Sequence, residues 1–306
     1  MLSDISFTIT EDDVAVGRLD KVILKRFPTS TRAFINRAFL SNSVSADGVV
    51  CKKGVVPTCG SVITIPQLLE KSDLRVVPQR GKLDIIYFDD SVIAVNKPPG
   101  QPCHPIAPLE SGTLANALLY KFPELEHVGD DPLMSGLLHR IDSGTSGLVL
   151  CARNPDVYKA ARKQFSQNTV EKKYTALVHG RVSQPGGVSG YLAHSSSYRG
   201  RMRCVSGSRL AARERAMFAE TFYKPLSESD NTTLLEVTIF TGVTHQIRCQ
   251  LASIGHPIVG DTTYGSAEQL KTSFGNYHLL HSSAIKLTHP VSSDTLTISN
   301  EADFTR

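Results

Sequence analysis

The chain has 306 residues, room for a sizeable core and about two domains, and its 41% hydrophobic and 20% charged content is that of an ordinary globular protein. The 33 Lys and Arg against 29 Asp and Glu leave a net charge of +4, which admits an acidic partner without demanding one. No apolar run approaches the roughly 20 residues of a membrane span, and the acids in MLSDISFTITEDDVAVG argue against a secretory signal. Residues 1–13 read as a short acidic lead-in. From Val14 the pattern changes: Leu19, Val22, Ile23 and Phe27 recur at helical spacing before Pro28. Ser30 then caps a second helix with Phe34, Ile35, Ala38 and Phe39 on one face. A turn at Asp47–Gly48, a short strand Val49–Cys51 and a strand Val62–Ile65 complete the segment. Residues 14–70 hold eight Lys and Arg against Asp20, Asp47 and Glu70, a net of +5, so the whole excess of positive charge resides here. A solvated helical face would explain these charges as well as a phosphate-binding one.

Residues 67–82, broken by Pro78 and Gly81, have linker character. Two β-rich runs, Ile85–Phe88 and Val92–Val95, flank Asp89–Asp90–Ser91 as a hairpin, which Lys97–Pro98–Pro99–Gly100 closes with a stiff turn. Lys97 is expected to be solvated, with a substrate contact as the other reading. A short helix carries Leu114, Ala117 and Leu118. Next comes LLHRIDSGTSGLVLCARN, Leu137 to Asn154, a polar loop opening into the buried strand Leu148–Leu150. Asp142 before Ser-Gly is either a turn former or a carboxylate held beside Arg140 and His139 for chemistry. Asn154–Pro155 starts a helix with Val157, Ala161 and Phe165 on its apolar side, and Tyr174–Ala176–Val178 alternates as a strand. Ser183–Arg215 is rich in Gly, Ser and Arg, either touching phosphate or forming a meander whose charges face water. A strand over Leu234–Phe240 leads to TGVTHQIRCQLASIGHPIVGDTTYG. There Thr244 is the expected N-cap, Ile247, Leu251 and Ile254 the apolar face, Gly255 the C-terminal stop, and Arg248 free of that face. Closing strands follow around Leu280–Ile285 and Leu296–Ile298. His256, His281 and His289 lack zinc spacing, and the six scattered cysteines form no CxxC pair, so reduced thiols and no metal are expected.

HRIDSGTSGLVL resembles the HRLDxxTSGLLL motif of the RluA-type pseudouridine synthases. The likeness continues in family order through the KPxG turn at Lys97–Gly100 and Gly112–Leu118 against GTxxNAL. It extends to Lys172–Gly180 against KxYxAxVxG, and to the Thr241–Gly265 stretch against GRTHQIRxxLxxxGHPxxGDxxYG. Val243 departs from the usual Arg. Near the N-terminus, RLDK at Arg18–Lys21, TSTRAFI at Thr29–Ile35 and GSVITI at Gly60–Ile65 resemble the alpha-L RNA-binding motif, although SVSADGVVCKKG replaces its customary VxVNG.

These resemblances imply an α+β fold: an alpha-L module at 14–66, a linker at 67–82 and a catalytic domain at 83–300 with a mixed, mostly antiparallel sheet around an active-site cleft. They imply isomerisation of uridine to pseudouridine in structured RNA, ribosomal RNA of the large subunit above transfer RNA, by a cytoplasmic monomer without cofactor. Asp142 becomes the nucleophile, Arg248 its charge partner and Tyr174 the residue against the uracil. His139, Arg140 and Leu280 would contact the substrate nucleotide, and Arg18, Lys21, Arg32 and Arg37 the RNA backbone. Two other readings are a non-catalytic ribosome-assembly factor, which would need only basic surfaces, and a glycosidase, which would need a flanking pair of carboxylates.

Overall fold

The computed structural model describes residues 4–28, 30, 32–66, 75–106, 110–198, 200–266 and 277–305. Parts of several expected features lie outside them: residues 1–3 of the lead-in, 67–74 of the linker, Thr29 and Thr31 of the TSTRAFI stretch, Arg199, and residues 107–109 and 267–276 of the catalytic domain. The chain divides into two compact units, residues 1–77 with 105–111, and the remainder.

The first unit contains β1 (Ile5–Thr8), α1 (Glu11–Val16), α2 (Leu19–Arg26), α3 (Arg32–Leu40), β2 (Ser45–Ala46), β3 (Val49–Val50) and β4 (Val62–Ile65). The strands form an antiparallel sheet in the order β1-β4-β2-β3. Leu19, Val22 and Ile23 of α2 meet Ile35, Ala38 and Phe39 of α3 over Ile63 and Ile65, so the helical periodicity of the sequence is the core of this unit. The acidic lead-in is corrected: Ile5–Thr8 pairs along its length with Val62–Ile65, and the following acids cap a helix. Asp13 accepts from the backbone and hydroxyl of Thr10 at 3.0 and 2.9 Å and pairs with Arg26 across the unit. That guanidinium holds the buried Asp13 carboxyl far below the usual carboxylate range. An apparently loose acidic run is thus a structural anion.

The second unit is built on ten strands: β5 (Asp84–Phe88), β6 (Val92–Lys97), β7 (Ser146–Ala152), β8 (Glu171–His179), β9 (Gly186–His194), β10 (Met202–Val205), β11 (Met217–Ser229), β12 (Thr232–Ile239), β13 (Leu280–Thr288) and β14 (Thr295–Ser299). They lie in the order β10-β9-β11-β12-β8-β13-β7-β6-β5, with β14 on the far part of β13. Every pairing is antiparallel except the short parallel contact between β13 and β7, which makes the sheet mixed, as expected. Helices α4 (Leu114–Lys121), α5 (Pro155–Ser166), α6 (Ser208–Arg213) and α7 (Gln246–Ser253) connect and cover it. Thr113 and Asn154 cap α4 and α5 by accepting from Asn116 and Val157.

The Arg-rich segment resolves into β9, β10 and α6. Strand β11, thirteen residues long, is not legible beforehand because Pro225 and exposed aromatics interrupt its pattern. The sheet accommodates the proline. On one side β9 pairs only as far as Tyr223, and on the other the register with β12 shifts between Pro225 and Ser227. No helix among the described residues is long and apolar enough to cross a membrane.

Candidate active site

The loop that opens into β7 is held from below by the turn after β6. Lys97 donates to the carbonyls of Pro98 at 2.8 Å and Ser143 at 3.1 Å. The backbone of Gly100 also donates to Ser143 O, and the Ser143 hydroxyl returns a bond to Gly100 O. Ile141 is pinned to Cys103 through N–H···S contact at 3.4 Å. Asp142, flanked by these two clamped residues, keeps its side chain 24% exposed. Lys97, expected to be solvated, is instead fully buried, and the cost of burying its charge pulls its pKa down to about 8. The KPPG turn is therefore a clamp on the Asp142 loop.

Gly147 fixes where that loop becomes a strand. Its φ is +106°, and a Cβ there would stand 2.4 Å from Ser282 O, across the parallel contact of β7 with β13. His281, one residue before Ser282, meets the Ser146 hydroxyl at 2.8 Å and reinforces this junction.

Helix α7 brings the opposite charge. Arg248 is 6% exposed, and its Nη1 donates to Asp142 Oδ2 at 2.8 Å, across 106 residues of chain. The rest of the guanidinium is committed to Asp261, with Nε to Oδ2 at 2.7 Å and Nη2 to Oδ1 at 2.9 Å, and to the Thr263 hydroxyl at 3.1 Å. Asp261 is 1% exposed and also accepts from the backbones of Thr263 and Tyr264. Burial opposes its charge, yet the Arg248 fork prevails and keeps the carboxyl below its ordinary range. Arg248 is thus aimed by a second acid before it reaches Asp142.

The N-cap of α7 is His245 rather than Thr244. Its backbone is left-handed, φ 54°, an uncommon place for a residue with a Cβ. The imidazole Nε2 lies 3.8 Å from Asp142 Oδ2, and Nδ1 meets the Tyr264 hydroxyl at 3.1 Å. Burial lowers the His245 pKa, with Asp142 opposing. The guanidinium groups of Arg201 and Arg248 both lie over the ring of Tyr264, at 5.2 and 5.4 Å from its centroid.

Tyr174 on β8 is 6% exposed and stands opposite Ser282 of β13, while Leu280, 4% exposed, stands opposite Ala176. Directly opposed and alternate residues share a face, so Tyr174 and Leu280 line the same side of the sheet. Burial first, and the nearby Asp142 carboxylate second, push the Tyr174 phenol well above its ordinary pKa. Asp142 and Arg248, distant in sequence, bond directly, and Tyr174 lies near enough to feel the Asp142 charge. Arg140 is exposed on the same loop.

His139, expected to contact the substrate nucleotide, has a structural commitment as well. Its Nε2 accepts from the backbone of Leu150 at 3.0 Å, its ring stacks on Phe165 at 5.2 Å, and burial drops its pKa to about 3. The Leu150 bond and the Phe165 stack fix the orientation of a neutral ring. His245, Asp261 and Tyr264 were not singled out from the sequence, although THQIR and GDTTYG contained them. Their spacing in the chain carries no sign that they gather around the Asp142–Arg248 pair. Among the described residues, no group of three or more His, Cys, Asp or Glu is arranged to hold a metal ion.

In the first unit, Arg18, Lys21 and Arg32 line one groove with Lys53, Asn36 and Asp20, enclosing about 250 Å³. Arg18 forms a two-point pair with Asp20 at 3.0 and 3.2 Å and is 50% exposed. The side chain of Arg37 lies outside the described residues.

The family described as RNA pseudouridylate synthase matches residues 91–253. An uncharacterised RNA pseudouridine synthase of Aquifex aeolicus is 32% identical over 281 residues, covering 89% of this chain and 86% of that one. The ribosomal large subunit pseudouridine synthase D of Zymomonas mobilis is 34% identical over 221 residues, 70% of this chain and 68% of its own. Among solved structures, human RNA pseudouridylate synthase domain containing 1 superimposes with a TM-score of 0.58 at 25% identity, covering 74% of this chain and 87% of that one.

Proposed function

Because this chain belongs to the RluA-type branch of the RNA pseudouridylate synthase family, we propose that it converts uridine to pseudouridine in large-subunit ribosomal RNA with Asp142 as its nucleophile. The observation that carries the assignment of Asp142 is its pairing with Arg248, itself held by the buried Asp261. A structural carboxylate has no need of a pre-aimed guanidinium while remaining partly open to solvent. The reaction breaks the N1–C1′ bond and forms C5–C1′, while C5 gives up its proton and N1 takes one from solvent, so the composition of the RNA is unchanged. A uridine must first leave its stack, at a cost of about a few kcal/mol. Arg140, exposed beside the nucleophile, is suited to occupy the vacated position.

Asp142 then engages the detached nucleotide, while Arg248 orients the carboxylate and supplies its counter-charge in a partly dry site. Tyr174 and Leu280 offer an apolar face to the uracil. Tyr174 packs on the base in this reading and is the side chain placed to help remove the C5 proton after the new bond forms. In the same reading residues 14–66 grip RNA through the groove of Arg18, Lys21 and Arg32, with Arg37 nearby in sequence, 67–82 link, and 83–300 catalyse. The protein then works as a cytoplasmic monomer.

The name of the Zymomonas relative supports ribosomal RNA as the substrate. Mapping pseudouridine across total RNA with and without the gene tests this directly. Loss of one or more large-subunit sites is the expected result, and loss confined to transfer RNA overturns the substrate. Asp142→Asn should abolish product while RNA binding persists. Turnover by that variant would remove Asp142 from the nucleophile's role, and unchanged RNA in the deletion strain would favour a non-catalytic binder.

A further inference from the structure

Cys204 and Cys249 are 45 residues apart, yet their sulfurs are 4.0 Å from each other. Cys204 lies on β10 and is exposed, whereas Cys249 lies on α7 and is 5% exposed. The local packing explains the encounter. On β10, Cys204 points to the same side as Met202 two residues earlier, and its partner on β9 is Leu192. Met202, Leu192 and Cys249 belong to one apolar cluster beneath α7. The pair therefore has one thiol that solvent reaches and one directly behind it.

We propose that Cys204 and Cys249 are a peroxide-oxidisable dithiol, whose closure to a disulfide displaces Arg248 and silences the active site. Cys204 attacks the peroxide oxygen, becoming a sulfenic acid with release of one water. The Cys249 sulfur then attacks the sulfenic sulfur, forming the S–S bond and releasing the second water. Two thiols and one hydrogen peroxide thus yield one disulfide and two waters. The roles follow from access, since the exposed sulfur meets the oxidant and the buried one resolves it. Donation of the Cys249 S–H, aided by Ser253, holds the Cys204 thiol below its ordinary pKa and favours the nucleophilic thiolate. The buried Cys103 and Cys151 have thiols pushed up by burial and lack that activation.

The link to activity rests on the reading of Asp142 and Arg248 above. Cys249 follows Arg248 directly, and Gln250 next to it is tied to Thr221 at 2.7 Å and to Ala219 O at 2.9 Å. A disulfide needs sulfurs about 2.05 Å apart, so roughly half the present separation must close. In this proposal the first turn of α7, which carries Arg248 beside Cys249, is drawn toward β10, and a misplacement of about 1 Å in such a site costs on the order of a hundredfold in rate.

The reduced full-length protein is treated with stoichiometric hydrogen peroxide, its remaining thiols are alkylated, and its peptides are mapped. A peptide pair joined through Cys204 and Cys249 is expected, with activity falling about tenfold or more and returning on treatment with dithiothreitol. Cys204→Ser, an exposed change outside the catalytic machinery, should keep reduced activity and resist the oxidant. The peptide map reads the disulfide even if the assigned activity is wrong. Oxidation of the exposed Cys59 with Cys204 left reduced, or Cys204 stopping at sulfenic acid, overturns the dithiol. A mapped disulfide with undiminished activity overturns its coupling to Arg248.

Discussion

Arg248 makes four hydrogen bonds through one guanidinium, two to Asp261, one to Thr263 and one to Asp142. That arrangement predicts different outcomes for two substitutions. Arg248→Met leaves Asp261 buried with its charge uncompensated, which should cost about 3–5 kcal/mol of stability. It should also lower the single-turnover rate about a hundredfold or more, through loss of the aim on Asp142. Arg248→Lys restores charge without the planar fork, so denaturant midpoints should recover further than the rate does. Equal loss in both measurements would reduce Arg248 to a structural ion pair. Histidines give a second residue-scale prediction. His139 and His278 have pKa values lowered by burial to about 3 and about 4. Below the ordinary value of about 6.5 the unfolded chain takes up protons that the folded chain refuses, so stability is complete above that pH and is lost as pH falls toward 4. The loss should reach a few kcal/mol in urea titrations, and His139→Gln should flatten part of the slope. HRID shows that a histidine precedes the aspartate by three, but not that its ring stacks on Phe165 behind the strand.

At the scale of elements, one helix start was readable in advance and another was not. Asn154 caps α5 because a short polar side chain satisfies the first free N–H groups where the chain turns into a helix, whereas the expected Thr244 yields to a left-handed His245 at the start of α7. Strands β1 and β11 were not readable. Ile5–Thr8 has four residues of alternation among acids, and β11 carries a proline whose compatibility depends on which neighbours stop pairing before it. Gly147 shows the converse, a single position on which an element boundary depends. Gly147→Ala requires a strained positive φ and places a methyl against Ser282 O, so stability should fall by about 1–3 kcal/mol. Because β7 carries the Asp142 loop, activity should fall with it. A variant with an unchanged melting temperature would show that the β7–β13 junction tolerates a side chain.

For the molecule as a whole, positive charge is concentrated where the net of residues 14–70 is +5. If the groove of Arg18, Lys21 and Arg32 grips phosphate, replacing all three by Gln should weaken RNA binding. It should also flatten the dependence of log K on log salt by about 0.7 for each lost contact with single-stranded RNA. The rate at saturating RNA should hold, because none of the three touches the Asp142 site among the described contacts. An unchanged salt slope would move the grip to the Arg-rich segment that became β9, β10 and α6.

The sequence by itself determined the class of fold, the helices of the first unit and the motifs that contain Asp142, Tyr174 and Arg248. These depend on local periodicity and on residues whose order is legible along a line. Only the tertiary structure decided that Lys97 is buried beneath the Asp142 loop, that the His139 ring accepts from the Leu150 backbone, that Asp261 holds Arg248 and that His245 lies against Asp142. Those facts depend on which strand lies beside which. In this sheet β13 sits between β8 and β7, and α7 returns Arg248 to a loop 106 residues earlier, a proximity set by packing that no spacing along the chain encodes.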